Sequence, residues 1–238
     1  MKETVLNTKP GRVVALIAAV GLHAAALAAN NQVWLHQNIE GAPIAEGDWK
    51  GLRVKVEQEE KYDEKRIIDS ETLVLVGWRF NPYLSMFVGD RWVYERPRGG
   101  RGKMRAEQRP TLDLCFAFPE FATLKLDVRS RFEYRDKHGS DAYMRYRERV
   151  RLRTSWSVTD FKISPYVSEE VFFSDKTGVE RADLYDRNRF QVGLLFRPAP
   201  SCEHLACNLY YMVQHDMSNN SSTWTPTSVY GFALNWKF

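Results

Sequence analysis

Apolar and polar residues alternate along much of this chain with a period of two. Arginine occupies positions 145, 147, 149, 151 and 153, while Met144, Tyr146, Val150, Leu152 and, further on, Trp156 take intervening places. Successive side chains of a β-strand point to opposite faces, so this spacing gathers the five guanidinium groups on one face; a helix would scatter them. Residues 124–135 repeat the pattern, with Leu124, Leu126, Val128, Phe132 and Tyr134 opposite Lys125, Asp127, Arg129, Arg131, Glu133 and Arg135. Residues 50–59 and 188–197 do so again, and less regular strands are expected near residues 70–80, 84–95, 109–118, 161–173 and 207–216. No helical period of comparable length follows residue 29. The pattern predicts an all-β, antiparallel chain of two-faced strands.

The links between these strands fall into two alternating classes. Short ones at residues 81–82, 119–120 and 157–160 alternate with longer polar ones at 60–69, 95–107, 136–141, 175–183 and 217–228. Outer-membrane barrels have this asymmetry, with short periplasmic turns and long outer loops. A soluble meander would need a second layer over every apolar face.

The first 29 residues read differently. Lys2, Lys9 and Arg12 precede an apolar run at 13–20 and then the small residues Ala24, Ala25, Ala26, Ala28 and Ala29, the order of a secretory signal cleaved after Ala28 or Ala29. About 209 residues then remain, enough for one domain. Residues 30–48 are read as an N-terminal segment and residues 49–238 as the barrel. Charges interrupt every later apolar run, so no transmembrane helix is expected. The formal charge of +4 falls to about +2 once the signal is removed, which gives no reason to expect a nucleic-acid partner. A mean hydropathy of -0.46 suits a soluble protein, and equally a membrane barrel, half of whose strand positions are polar.

The end of the chain favours the barrel. Tyr230, Phe232, Leu234, Trp236 and Phe238 occupy every second position up to the last residue. An alternating strand ending in phenylalanine resembles the signal read by the outer-membrane barrel assembly machinery. The expectation is an antiparallel transmembrane β-barrel in the outer membrane, with arginines toward the lumen and apolar residues toward lipid. Counting back from Phe238 gives about ten strands from Trp49 onward, or twelve if two have been merged. A strand at residues 31–40 would be an eleventh and would put the N-terminus outside, so that segment is assigned to the periplasm or the lumen.

The order of several short motifs is similar to that of the domain of unknown function 2490 family. They are Val33-Trp34, Trp49, Glu57-Gln58-Glu59, Glu107-Gln108-Arg109-Pro110, Arg129-Ser130-Arg131, Arg145-Tyr146-Arg147, Ser164-Pro165-Tyr166 with Glu170, Asn188-Arg189 with Gly193-Leu194, and Tyr210-Tyr211-Met212. The resemblance implies an outer-membrane barrel of Gram-negative bacteria and implies no activity.

Candidate chemistry follows from the inward faces. Arg129, Arg131, Arg145, Arg147, Arg149, Arg151 and Arg189 are candidates for contact with anions, because a guanidinium stays charged and its fork fits carboxylate or phosphate. Glu57, Glu133 and Glu170 are candidate acidic partners. Two readings of this lumen coexist: an ion-pair network that fills the bore, and a passage for small anionic solutes. A lipid-modifying enzyme is the third reading. Its best fragment is His215 with Ser218, but a spacing of three puts them on opposite strand faces, so no catalytic set is assigned. No metal site and no cofactor are expected. Cys202 and Cys207 are expected to form a disulfide in an oxidising compartment, leaving Cys115 unpaired.

Overall fold

The computed structural model describes residues 32–44, 46–63, 66–96, 103–139, 141–158, 161–175, 185–198, 202–217 and 224–238. The expected signal at residues 1–29 lies outside them. The strands are β1 (Gln32–Gly41), β2 (Leu52–Asp63), β3 (Arg66–Arg79), β4 (Leu84–Glu95), β5 (Arg105–Ala117), β6 (Leu124–Lys137), β7 (Tyr143–Thr154), β8 (Trp156–Val158), β9 (Phe161–Asp175), β10 (Tyr185–Phe196), β11 (Leu205–Met217) and β12 (Trp224–Lys237). Eleven of them close a ring; β8 is a three-residue extension of β7 paired to the start of β9. Neighbours in sequence pair antiparallel around the ring, and β1 meets β12 in parallel.

That seam corrects the expected count. The ring has eleven strands rather than ten or twelve, and it begins at Gln32 rather than at Trp49. Residues 32–41 belong to the wall because both edges of β1 are used: Trp34 sits opposite Lys61 of β2 and Gly231 of β12. Trp49 lies in the link before β2, exposed, with its ring against Trp78 at 6.0 Å. A second correction concerns residues 60–69, expected as a long loop. β2 and β3 run on until only residues 64–65 separate them, and the charges of this stretch pair across the hairpin, as in Lys61 Nζ–Asp69 Oδ2 at 3.2 Å. The nominal short turn at 157–160 likewise begins with Ser157 and Val158 of β8, which pair with Lys162 and Phe161 of β9.

The distribution of burial is inverted relative to a soluble core. Arg131 is 1% exposed and Glu133 0%, whereas Val88, on the other face of the wall, is 54% exposed. Val76, Val150, Leu152, Phe190 and Tyr230 also face outward, as do Trp236 and Phe238 of the alternating terminal strand. Near the rim away from Phe238, ring contacts run Phe132–Tyr146, Tyr146–Phe173, Phe173–Tyr185 and Tyr185–Trp224 with centroids 4.9, 6.1, 5.6 and 5.0 Å apart. Inside, two apolar clusters are embedded among the charges: Leu73, Leu75 and Phe87 with Cys115, and Trp34, Met212 and Val229 with Tyr210.

Two glycines let the inner wall close. Gly193 lies opposite Tyr166, and Gly231 opposite Tyr210. Each tyrosine ring occupies the space that a Cβ on its glycine would need. The rings therefore lie flat against the neighbouring strand instead of projecting across the bore.

Candidate functional site

Strand register decides which inward charges meet. Asp113 of β5 faces Arg131 of β6, and Glu133 of β6 faces Arg145 of β7. Arg131 donates from Nε and Nη2 to the two carboxylate oxygens of Asp113, both at 2.6 Å, a bidentate fork buried on both sides. Glu133 accepts from Arg147 Nη1 at 2.9 Å and lies 3.6 Å from Arg145 Nε. Glu107 accepts two bonds from Arg109, at 2.8 and 3.1 Å, and a further pair from Arg135. Glu71 is bonded by Lys61 and Arg91. Buried charges cost several kcal/mol each when unpaired, and here neighbouring strands compensate one another.

The balance changes along β6 and β7 toward the C-terminal rim. Glu170 is shared by Arg129 at 2.8 Å, Arg147 at 3.1 Å and Arg189 at 3.4 Å. Asp127 is shared by Arg151 at 3.2 Å and Arg153 at 3.3 Å. Arg129 stands directly opposite Arg149, and Arg149 opposite Glu170, whose carboxylate is already occupied. Arginine is therefore in local excess over acid.

These groups surround a cavity of about 880 Å³ that includes sixteen basic and nine acidic side chains in its lining. The lining also includes the uncharged residues Trp34, Asn38, Tyr166, Gln191, Asn208 and Tyr210. Its polar groups are tied to one another: His36 Nε2 lies 2.6 Å from Tyr210 Oη and His36 Nδ1 2.9 Å from Glu59, while Gln191 Nε2 donates to Tyr166 Oη at 2.6 Å. Aromatic rings also receive guanidinium groups, with Arg147 over Phe172 at 4.7 Å and Arg189 over both Trp34 and Phe172 at 4.8 Å.

Arg129, Arg131, Arg145, Arg147, Arg149, Arg151 and Arg189 all line the cavity, with Glu57 and Glu170. Glu133 is fully buried behind Arg147. The sequence reading passed over Glu71, Lys61 and Arg91, which belong to less regular strands, and the ring platforms Trp34 and Phe172, whose inward direction depends on register. The expected Cys202–Cys207 disulfide is not formed; both are free thiols, as is Cys115. The intervening turn is closed by Leu205 N–H donating to Cys202 O at 3.1 Å, and Cys207 is already fixed in β11 between Phe196 and Leu234. His215 lies on the outward face with Nδ1 3.1 Å from Asn188 Oδ1; Ser218 falls outside the described residues.

A family model described as "Protein of unknown function (DUF2490)" matches residues 31–225. The chain belongs to that family. The DUF2490 match takes in β1 to β11 and the first residues of β12, and so all the lumen arginines named above. No curated protein matches it. Among solved structures, that of the NanC porin in a rhombohedral crystal form aligns at 10% identity over 86% of this chain and 99% of that one, with a TM-score of 0.46.

Proposed function

We propose that the mature chain is an outer-membrane β-barrel whose arginine-rich lumen passes small anionic solutes, without enzymatic activity. The observation that carries this reading is the inversion of burial: charged residues converge on a polar cavity while apolar side chains cover the outside of a closed wall. A lipid surround makes such an exterior favourable, and a closed ring leaves no unpaired strand edge within it. The rim contacts from Phe132 to Trp224 fit an aromatic girdle at a membrane interface. On this reading the signal at residues 1–29 exports the chain, the assembly machinery engages Tyr230, Phe232, Leu234, Trp236 and Phe238, and outer-membrane lipid contacts the outer face.

Passage rests on the charge of the lumen. The excess of basic over acidic lining residues favours anions, as rings of arginine do in anion-selective pores. A closed structural barrel is the second reading, favoured by the buried Arg131–Asp113 fork and the Glu107 and Glu133 pairs, which narrow the bore. Conductance of the refolded protein in planar bilayers, with the reversal potential under a salt gradient, separates the two. Discrete steps with anion preference support passage. Silence from protein proven to be folded overturns it in favour of the closed barrel.

A further inference from the structure

The arginines of β6 and β7 are not all accounted for by the ion-pair network. Arg129, Arg147, Arg151, Arg153 and Arg189 pair with Glu170, Asp127 and Glu133, three acids for five arginines, while Arg149 pairs with none of them. Arg149 is the clearest case: among the described residues its guanidinium forms neither a hydrogen bond nor an ion pair, and the groups near it are Arg129, Arg131, Arg151, Cys115 and the already shared Glu170. The Nε–H groups of Arg129, Arg147 and Arg151 are buried without an acceptor. Like charges directly opposite on adjacent strands are destabilising, and Arg129 and Arg149 are such a pair. The arrangement is favourable when an anion stands between them.

We infer that Arg129, Arg149 and Arg151 form a binding site for a phosphate group, free or as a small monoester. This rests on the reading of the lumen as an anion pathway and assigns it one preferred cargo chemistry. Arg149 stands opposite Arg129 and one inward position from Arg151, so three guanidinium groups line one stretch of the cavity wall and can supply donors to the several oxygens of a tetrahedral dianion; bidentate forks bind phosphate strongly. A monocarboxylate would offer two oxygens and one charge, fewer acceptors than three guanidinium groups can engage. Beside the arginines, the Arg151 guanidinium lies 5.9 Å from the Tyr166 ring, and Asn208 Oδ1 is buried without a hydrogen-bond partner. Tyr166 provides an apolar shelf and Asn208 an acceptor for a hydroxyl on the body of a monoester.

Calorimetric titration of the refolded protein in detergent, at constant ionic strength, tests the site with three probes: inorganic phosphate, glycerol phosphate and acetate. Saturable binding is expected for both phosphates and not for acetate, weakened at least tenfold in Arg149→Gln and partly retained in Arg149→Lys, which keeps the charge and loses the fork. Arg53→Gln, at the C-terminal rim where Arg53 bonds the Lys50 and Leu52 carbonyls, should bind as the unaltered protein does. Glycerol phosphate binding more tightly than inorganic phosphate, with the difference lost in Asn208→Leu, identifies monoesters as the ligand; equal binding identifies free phosphate. Absence of saturable phosphate binding by folded protein, acetate binding as tightly as phosphate, or binding indifferent to Arg149→Gln overturns the site. Bilayer recordings on the same samples separate this from the pore reading. Anion preference without phosphate binding leaves the pathway standing and removes the site; Arg149-dependent binding without conductance keeps the site and removes the pathway.

Discussion

Replacing Asp113 by asparagine isolates what the buried network contributes. Arg131 and Asp113 side chains are 1% and 2% exposed and joined by two bonds of 2.6 Å, so the substitution leaves a guanidinium with almost no water and only the longer-range acids Glu57, at 3.8 Å, and Glu133. Removing one partner of a buried ion pair costs about 3–5 kcal/mol, and the remaining Glu57 contact puts Asp113→Asn toward the lower end. Removing both charges with apolar replacements of similar volume, Asp113→Leu with Arg131→Met, should return stability to within about 1–2 kcal/mol of the original, because no uncompensated charge remains. Urea unfolding in lipid vesicles, followed by tryptophan fluorescence, measures all the variants. The opposite pattern, Asp113→Asn costing under about 1 kcal/mol, would mean that lumen water screens the pair as it does a surface salt bridge, and the packed-network account of this sector would be wrong. A double variant as unstable as the single one would refute it equally.

Other outcomes follow from the two faces of the wall. Val150→Arg places a charge on the exposed apolar face and should cost roughly 2–4 kcal/mol in vesicles if that face meets lipid at the bilayer midplane, with little cost if it meets water; the same urea titration reads it. Gly231→Ala forces its methyl group into the space of the Tyr210 ring and should cost about 1–3 kcal/mol, with a lower melting temperature by circular dichroism and loss of the Tyr210–His36 bond. Arg151→Gln should move the reversal potential toward zero with little loss of stability. Arg147→Gln should move the reversal potential and also lower stability, since Arg147 joins Glu133 to Glu170, and an unchanged reversal potential in both variants would count against the basic lumen as the selectivity element.

The strands most legible in the sequence were those with charge on one face and aliphatic residues on the other. β6 and β7 are cases where period alone located the inward arginines. β1 was harder because its inward residues are Trp34, His36 and Asn38, while Gln37 points outward, so neither face has one character. The β2–β3 hairpin looked like a loop for a related reason: Gln58, Glu60 and Thr72 make the outer face polar near that rim, and Thr72 and Gln58 bond across it. Pairing was less legible than facing. Nothing local marks Asp113 as the partner of Arg131 rather than of Arg129, because that choice depends on the register between β5 and β6. The excess of arginine around Arg149 is likewise a property of three strands at once.

The parallel seam also limits how this chain can be rewired. β1 and β12 run side by side in the same direction over nine paired positions, so the two ends of the barrel sequence leave at opposite mouths. At ~3.3 Å per residue they are separated by roughly 30 Å of wall. A circular permutant would need a linker long enough to climb the outside or thread the bore, whereas a ring closed by an antiparallel pair could be rejoined with a short turn. The same geometry makes the ring a two-sided mount: a domain fused ahead of Gln32 and another fused after Phe238 would be displayed on opposite sides of whatever sheet the wall crosses.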